Sequence, residues 1–536
     1  MKFEVIDLCI IGAYFLLVFI VGFYYSRKEK TSTDYFLAGR HIKWYAIGAA
    51  LFASNISSEH FIGLSGTGYN TGLAVGMFEW SACFVVLILG WVFVPFYLKS
   101  GVFTMPEFLE RRYNEKCRWF LTSISIVAYV LTKISVTLLA GGIVLNAVMG
   151  WDLYTSAIVM VIATGIYTVA GGLSAVIYTE VLQTIILIAG AIILTILGMN
   201  EVGGTTALFE KAPEGFFSLF KPADHPEFPW PGMIFGTLVT GIWYWCTDQF
   251  IVQRVLSAKN IDHARSGSIF AGFLKLLPVF ILIIPGIIAR VLYPNIPPNE
   301  AYPAIITNLL PAGIRGVVVA SVMAALMSSL ASCFNSSSTL FTIDVYKKWY
   351  PHANEFVLVN IGRIATFVLV IFGIIWVSFI NSISDQLYVY MQTIQAYIAP
   401  PVTVIFLLGV LWARGTGNAA YITLVAGFAI GVFRFALEII NKNYVLAPGL
   451  LKSIAEINFL YFAMIIFVIC VLLFVVVSLL SPQPAASQVK GLTYKFANDI
   501  VIDREYKRDH RTHYKLNVIF SVCLVVIILY LYYLFF

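Results

Sequence analysis

The sequence predicts an all-α polytopic membrane protein with about fourteen transmembrane helices. Its 536 residues are 60% hydrophobic and only 12% charged, against about 25% charged in a soluble chain. Mean hydropathy is +0.87. Apolar runs of the roughly 20 residues needed to cross a bilayer recur along the whole length. This composition excludes a soluble enzyme carrying one anchor. The net charge of +6 does not point to nucleic acid, because the basic residues sit in short loops between apolar runs.

The expected spans are 4–26, 44–69, 72–99, 119–148, 152–170, 175–198, 231–253, 266–293, 313–345, 356–379, 384–410, 416–440, 455–481 and 514–536. The opening MKFEVID and the run to Tyr25 lack a small-residue cleavage site, so the start reads as a first span rather than a removable signal. The seven cysteines have neither a disulfide framework nor metal-type spacing.

Orientation follows the basic loops. Arg27, Lys28, Lys30, Arg40 and Lys43 fall on one side, followed on that side by Arg111, Arg112, Lys116 and Arg118. Arg254, Lys259 and Arg265, then Lys347 and Lys348, then Arg414, then the cluster from Lys490 to Lys515 continue the pattern. The loop 199–230 on the opposite side is acidic. The bias places both termini outside the cytoplasm, in a plasma or bacterial inner membrane. VFTMPEFLERRYN, 103–115, reads as an amphipathic connector or as an interfacial helix with Arg111 and Arg112 toward headgroups. The loop 482–513 reads as polar and flexible.

Within the second span, LFASNISSEHFIGL (51–64) carries Ser54, Asn55, Ser57, Ser58, Glu59 and His60, six polar residues in seven positions. Unsatisfied polar groups in hydrocarbon cost several kcal/mol each, roughly. The run is either a broken helix lining a binding site or a polar seam between helices. Other ionisable groups at membrane depth are Glu79, Lys133, Glu180, Asp248, Lys275, Arg434 and Glu438. Arg434 and Glu438, at i and i+4, suit a structural pair. Glu180 suits a helix start, and Asp248 and Arg254 suit capping or gating.

His60, Glu79, Lys133, Lys275 and Gln392 remain as mid-membrane donors and acceptors. Both kinds without a metal-type cluster fit a polyhydroxylated neutral ligand, since a hydroxyl gives and takes hydrogen bonds. Phe78, Tyr244, Trp245 and Tyr388 offer rings for its apolar faces. Ala325, Ser328, Ser329, Ser332 and Ser336 form one stripe at helical spacing. That stripe is either a small-residue packing face or half of a sodium site, with the backbone of 53–56 as the other half.

DYFLAGR (34–40), SNISSEHFIGLSGTGY (54–69), AGGLSAVIYTE (170–180), WYWCTDQFIVQRVLSAKN (243–260), FLKLLPVF (273–280) and SSLASCFNSSSTLFTIDVYKKW (328–349) together resemble the sodium/solute symporter family. The likeness is stronger still to its sodium/glucose cotransporter branch. It covers residues 30–415 well and the remainder in span pattern only. It implies a LeuT-type core of two five-helix inverted repeats, 44–198 and 231–410. The first helix and loop occupy 1–43, an extracellular loop 199–230, and peripheral helices 411–536. It also implies sodium-coupled symport of a neutral hexose, with sodium, the sugar and the lipid bilayer as partners.

By the same resemblance, sugar contacts fall on Asn55, His60, Glu79, Lys275 and Gln392. Gates fall on Leu64, Phe78 and Tyr388 outside and on Tyr244 with Trp245 inside. The sodium ligands fall on the carbonyls of Ala53, Ile56 and Ala325 and the hydroxyls of Ser328 and Ser329. Three positions depart from the pattern. Gly241 and Ala82 replace polar sugar contacts, and Glu180 stands where relatives with a second sodium have Asp. Another solute of the same fold, such as an inositol, a sialic acid, an amino acid or a vitamin, is the alternative cargo.

Overall fold

The computed structural model describes residues 4–27, 31–376, 387–444, 446–495 and 511–536, and these are almost entirely helical. In chain order the helices are α1 Val5–Ser26, α2 Trp44–Asn55, α3 His60–Ser100, α4 Glu115–Met149 and α5 Leu153–Val202. Then come α6 (232–247), α7 Gln249–Leu256, α8 Ile261–Leu292, α9 Ile314–Trp349 and α10 Glu355–Ile375. The last four are α11 Tyr388–Leu411, α12 Gly417–Tyr444, α13 Phe459–Leu480 and α14 Thr512–Leu534.

Eleven helices among the described residues are long and apolar enough to cross a membrane, against the fourteen expected spans. The difference arises at three places. α2 stops after 12 residues, because Ile56 is extended (φ −80°, ψ 105°). Helix resumes at Ser58 and runs on, through a turn at Gly72, into the expected third span. α5, Leu153–Val202, is two helices joined across a kink at Gly172 (φ 46°, ψ −150°), one for each of the expected spans 152–170 and 175–198. α6 and α7 are separated by extended Asp248 (φ −75°, ψ 125°), so neither is a span by itself. Residues 377–386, at the expected boundary of 356–379 and 384–410, lie outside the described residues, as does 496–510 of the loop expected to be flexible. Within that loop Ala486–Val489 is helical.

α9 lies at the centre, and its apolar and hydroxyl residues are almost all buried. α5 packs along it, with α1 against both. α12, α13 and α14 keep broad exposed apolar faces, which suits lipid as the surrounding solvent. α8 touches both halves of the broken second span. A methyl on Gly48 of α2 would lie 2.8 Å from the Gly267 carbonyl, and one on Gly286 would lie 1.9 Å from the Ser65 carbonyl. Only glycine permits backbones this close. α8 is itself interrupted at Lys275 and Leu276, just before Pro278, which has no N–H to give Leu274.

The connector 103–115 corrects one expectation. It forms the helix Met105–Arg112, capped by Thr104, whose hydroxyl accepts from the Glu107 N–H at 3.1 Å. Arg112 does not reach headgroups. It is fully buried and donates to the carbonyls of Gly409, Trp412 and Gly415 at 2.7, 3.0 and 3.1 Å. These carbonyls close the C-terminal end of α11, where the backbone lacks helical partners.

Candidate ligand and cation site

The breaks after α2 and α6 lie beside one cavity. Its walls come from the broken second span (Asn55, Glu59, His60), the second half of α3 (Phe78, Glu79), α6, Lys275 of α8 and Gln392 of α11. It encloses about 60 Å³, room for a few waters. A larger ligand therefore enters only as the walls move apart.

Lys275 organises the polar side. It sits at the interruption of α8 and is 1% exposed. Its ammonium donates to Asn55 Oδ1 at 2.6 Å and forms a short ion pair with Glu79 Oε2. Asn55 donates in turn to the Tyr244 hydroxyl at 3.2 Å. The other Glu79 oxygen takes the Tyr388 hydroxyl at 3.4 Å and lies 3.9 Å from His60 Nε2. Burial makes the partner of Lys275 obligatory, because an isolated buried ammonium is strongly disfavoured. Gln392 is half-buried on the α11 wall. The five residues expected to contact a sugar therefore share one cavity.

The ring pairs bound it. Phe78 and Tyr388 meet edge-on at 5.8 Å, and Tyr388 meets His60 at the same distance. Tyr244 packs edge-on against Trp245 at 5.4 Å. Leu64 is fully buried one turn past His60 but is not among the cavity-lining residues. Gly241 and Ala82, the apolar departures, do line it, each beside a hydroxyl neighbour that also faces in, Thr240 and Ser81. Gln395 and Thr237 line it as well. The helical offsets 392/395, 78/81/82 and 237/240/241/244 carry these residues and were available in the sequence.

The hydroxyl stripe of α9 lies against the end of α2. Ser328 is within hydrogen-bond reach of the carbonyls of Ala53 (2.8 Å) and Ala325 (2.9 Å), and Ser329 donates to the Ser54 carbonyl at 3.3 Å. Ile56 is the extended residue three positions on, where the helical hydrogen-bond ladder stops. The cluster offers neutral oxygens of two kinds and no carboxylate, a donor set suited to a hard monovalent cation. No group of three or more His, Cys, Asp or Glu residues placed to hold a metal occurs among the described residues.

One helical turn further along α9, Ser332 and Ser54 donate to Glu180 Oε1 at 2.6 and 2.9 Å. Arg254 Nη2 binds the same oxygen at 2.7 Å. Glu180 is therefore not a helix-start residue. It lies two turns past Gly172 in the interior of α5, paired with a cation 74 residues away. Asp248 accepts from the Phe250 N–H at 3.2 Å as the cap of α7, and its other oxygen pairs with Lys133 at 2.7 Å. Lys133 is thus engaged below Tyr244 rather than free. Arg434 and Glu438 pair at 3.3 Å.

Residues 35–427 match the Sodium:solute symporter family. Sodium/glucose cotransporter 4 of Danio rerio is 40% identical, with 92% of this chain and 81% of the relative covered. Sodium/glucose cotransporter 1 of Oryctolagus cuniculus is 41% identical, over 88% and 78%. The sodium/myo-inositol cotransporter of Canis lupus familiaris is 38% identical, over 95% and 79%. In fold the chain is similar to a substrate-bound, outward-open Na+-coupled sialic acid symporter, with TM-score 0.76 and 22% identity over 90% of this chain and 99% of that one. It is also similar to a nucleobase-cation-symport-1 family transporter, with TM-score 0.54 and 11% identity over 87% and 98%. The polytopic helical architecture is of LeuT type, and the chain is a multi-pass membrane transporter, not an enzyme, that belongs to the sodium:solute symporter family.

Proposed function

We propose that this protein carries a neutral hexose, of glucose or galactose type, into the cell together with sodium. The observation that carries the reading is the pairing of Lys275 with both Asn55 and Glu79 at the break of the second span. It sets a donor beside two acceptors in a ring-walled cavity, the pattern that sugar hydroxyls and an apolar sugar face require. His60 and Gln392 extend that surface. Phe78, Tyr388 and Leu64 serve as the outer gate and Tyr244 with Trp245 as the inner one.

Sodium, the co-transported cargo, is held by the carbonyls of Ala53, Ile56 and Ala325 and the hydroxyls of Ser328 and Ser329. A cation among these oxygens turns the Ser328 lone pairs, rather than its proton, toward α2. It therefore fixes the end of α2 against α9. Both ligands then favour one arrangement of the break, and coupling needs nothing more than that shared preference. The membrane potential contributes about 2.3 kcal/mol per charge per 100 mV. The five-plus-five division at 44–198 and 231–410, the cell membrane as the location and both termini on its outer side belong to the same reading. They are supported by the paired breaks in α2/α3 and α6/α7 and by the loop charges.

The test is uptake into proteoliposomes of labelled glucose, galactose, myo-inositol and sialic acid, with sodium or choline outside. Sodium-dependent hexose accumulation is the expected result. Accumulation of another solute in preference to both hexoses would replace the cargo and leave the sodium assignment standing. The inositol reading is the rival, favoured by the 38% identical relative named for it.

A further inference from the structure

Away from the cavity, a groove of about 600 Å³ opens between the start of α8 and the start of α14, closed at one end by Trp44 of α2. Two helical stripes form its walls. Ile269, Phe270 and Phe273 come from α8, and Leu516 and Phe520 from α14. At one end the lining turns polar, with Asn260, His263, His513 and Asn517. Asn517 is 3% exposed; its Oδ1 accepts the Ser266 hydroxyl at 2.7 Å, and its amide nitrogen has no hydrogen-bond partner. A buried donor left without an acceptor is unfavourable unless the side chain turns to meet one.

The charge around this polar end is mostly basic. Ile42 and Lys259 are joined backbone to backbone, Lys259 N–H to Ile42 C=O at 3.1 Å, and Ile42 N–H to Ser257 C=O at 3.1 Å. This holds exposed Lys43 and Lys259 at the same mouth, where His263 Nδ1 accepts from the Trp44 N–H at 3.4 Å. Lys43, Lys259 and His513 come from three basic segments that the sequence assigns to one membrane face. Asp262 is the acidic residue of the lining.

We propose that this groove binds an anionic phospholipid. Its phosphate lies between Lys43, Lys259 and His513. The Asn517 amide donates to a phosphate or ester oxygen, and an acyl chain runs along Phe270, Phe273 and Phe520. A basic pocket between transmembrane helices, continued by an apolar channel, is what such a headgroup and chain require. The lipid touches α2 through Trp44 and α8 directly, so it rests on the two helices whose interruptions frame the cavity.

The experiment is native mass spectrometry of the full-length, delipidated protein titrated with phosphatidylglycerol or phosphatidylcholine. Wild type is expected to retain phosphatidylglycerol in preference. Lys43→Gln with Lys259→Gln should weaken that retention about thirtyfold, about fivefold for each lysine, and leave phosphatidylcholine unchanged. Leu516→Trp, which fills the groove from an exposed position, should abolish preferential retention whether or not the lysine variant folds. Equal retention of the two lipids by wild type would overturn the proposal. So would preferential retention that survives Leu516→Trp or the paired lysine change.

Discussion

Glu180 and Arg254 form an ion pair with no exposure of either side chain, the guanidinium 2.7 Å from the carboxylate oxygen that also takes the hydroxyls of Ser54 and Ser332. The pair ties α5 to α7, and its serines belong to α2 and α9. Removing one partner strands the other charge. Glu180→Gln is expected to cost about 3–5 kcal/mol, and the double variant Glu180→Gln/Arg254→Met to recover part of that. Thermal unfolding in detergent measures both, and additive losses would show that the two groups are not coupled. Because Arg254 already neutralises this carboxylate, sodium activation of uptake is expected to have a Hill coefficient near 1.

Ser328→Ala removes the hydroxyl that reaches both Ala53 and Ala325. Ser329→Ala removes the neighbouring one. Either change should raise the sodium concentration for half-maximal uptake by about tenfold or more, a loss of about 1.4 kcal/mol. Unchanged sodium activation in both variants would move the cation elsewhere.

Gln392→Ala and Lys275→Ala separate sugar contact from scaffold. Gln392 is half-buried on the cavity wall, so its loss should weaken apparent sugar affinity and leave thermal stability within about 0.5 kcal/mol of wild type. Lys275→Ala strands Glu79 at 2% exposure and frees Asn55, so both uptake and stability should fall. Equal stability losses in the two variants would contradict this division.

Glu59 lines the cavity; its Oε1 lies 3.8 Å from His60 Nδ1, and its Oε2 is buried without a hydrogen-bond partner. Glu79 has Lys275 and Lys133 has Asp248, so neither lysine forms an ion pair with Glu59, and its carboxylate, when ionised, adds negative potential to the cavity wall. Glu59→Gln is expected to keep hexose uptake while increasing inhibition by anionic sugars such as sialic acid. Competition assays on the two proteins read this directly, and identical inhibition would show that Glu59 does not screen solute charge.

Glu110, in the connector outside the membrane spans, binds Lys348 and Arg118. Burial raises its carboxyl, but the hydrogen bonds and charges of Lys348 and Arg118 outweigh burial and hold it below its ordinary value. A depressed acid stabilises fully above the unfolded value of about 4.3 and loses that contribution as pH falls through the folded value. The difference in unfolding temperature between wild type and Glu110→Gln should therefore be present at pH 7 and shrink below about pH 4.5. A difference independent of pH would mean that packing, not charge, separates the two proteins.

The polar run at 54–60 was legible because hydrocarbon makes every unpaired polar group conspicuous. The serine stripe was legible because helical spacing of 3 and 4 survives in any helix. Pairings over long separations were not legible. Nothing in the neighbourhood of Glu180 announces Arg254, and Arg112 looks like any basic loop residue until three carbonyls of the 409–415 turn are brought around it. The boundaries at Gly72 and Gly172 were legible in hydropathy too: both glycines turn the chain through non-helical backbone without a polar loop.

The glycine contacts along α8 have a mechanical consequence. Gly48 and Gly267 pack α2 against the first half of α8 at backbone distance, while Gly286 and Ser65 pack the start of α3 against its second half. Both rows are interrupted at one level, where Lys275 reaches Asn55. The four helical pieces are thus packed as two pairs that meet at one level. If the proposed solute is held by Asn55 and Lys275, it lies at the level where the two pieces of each helix meet, so a small rotation there is magnified toward the helix ends.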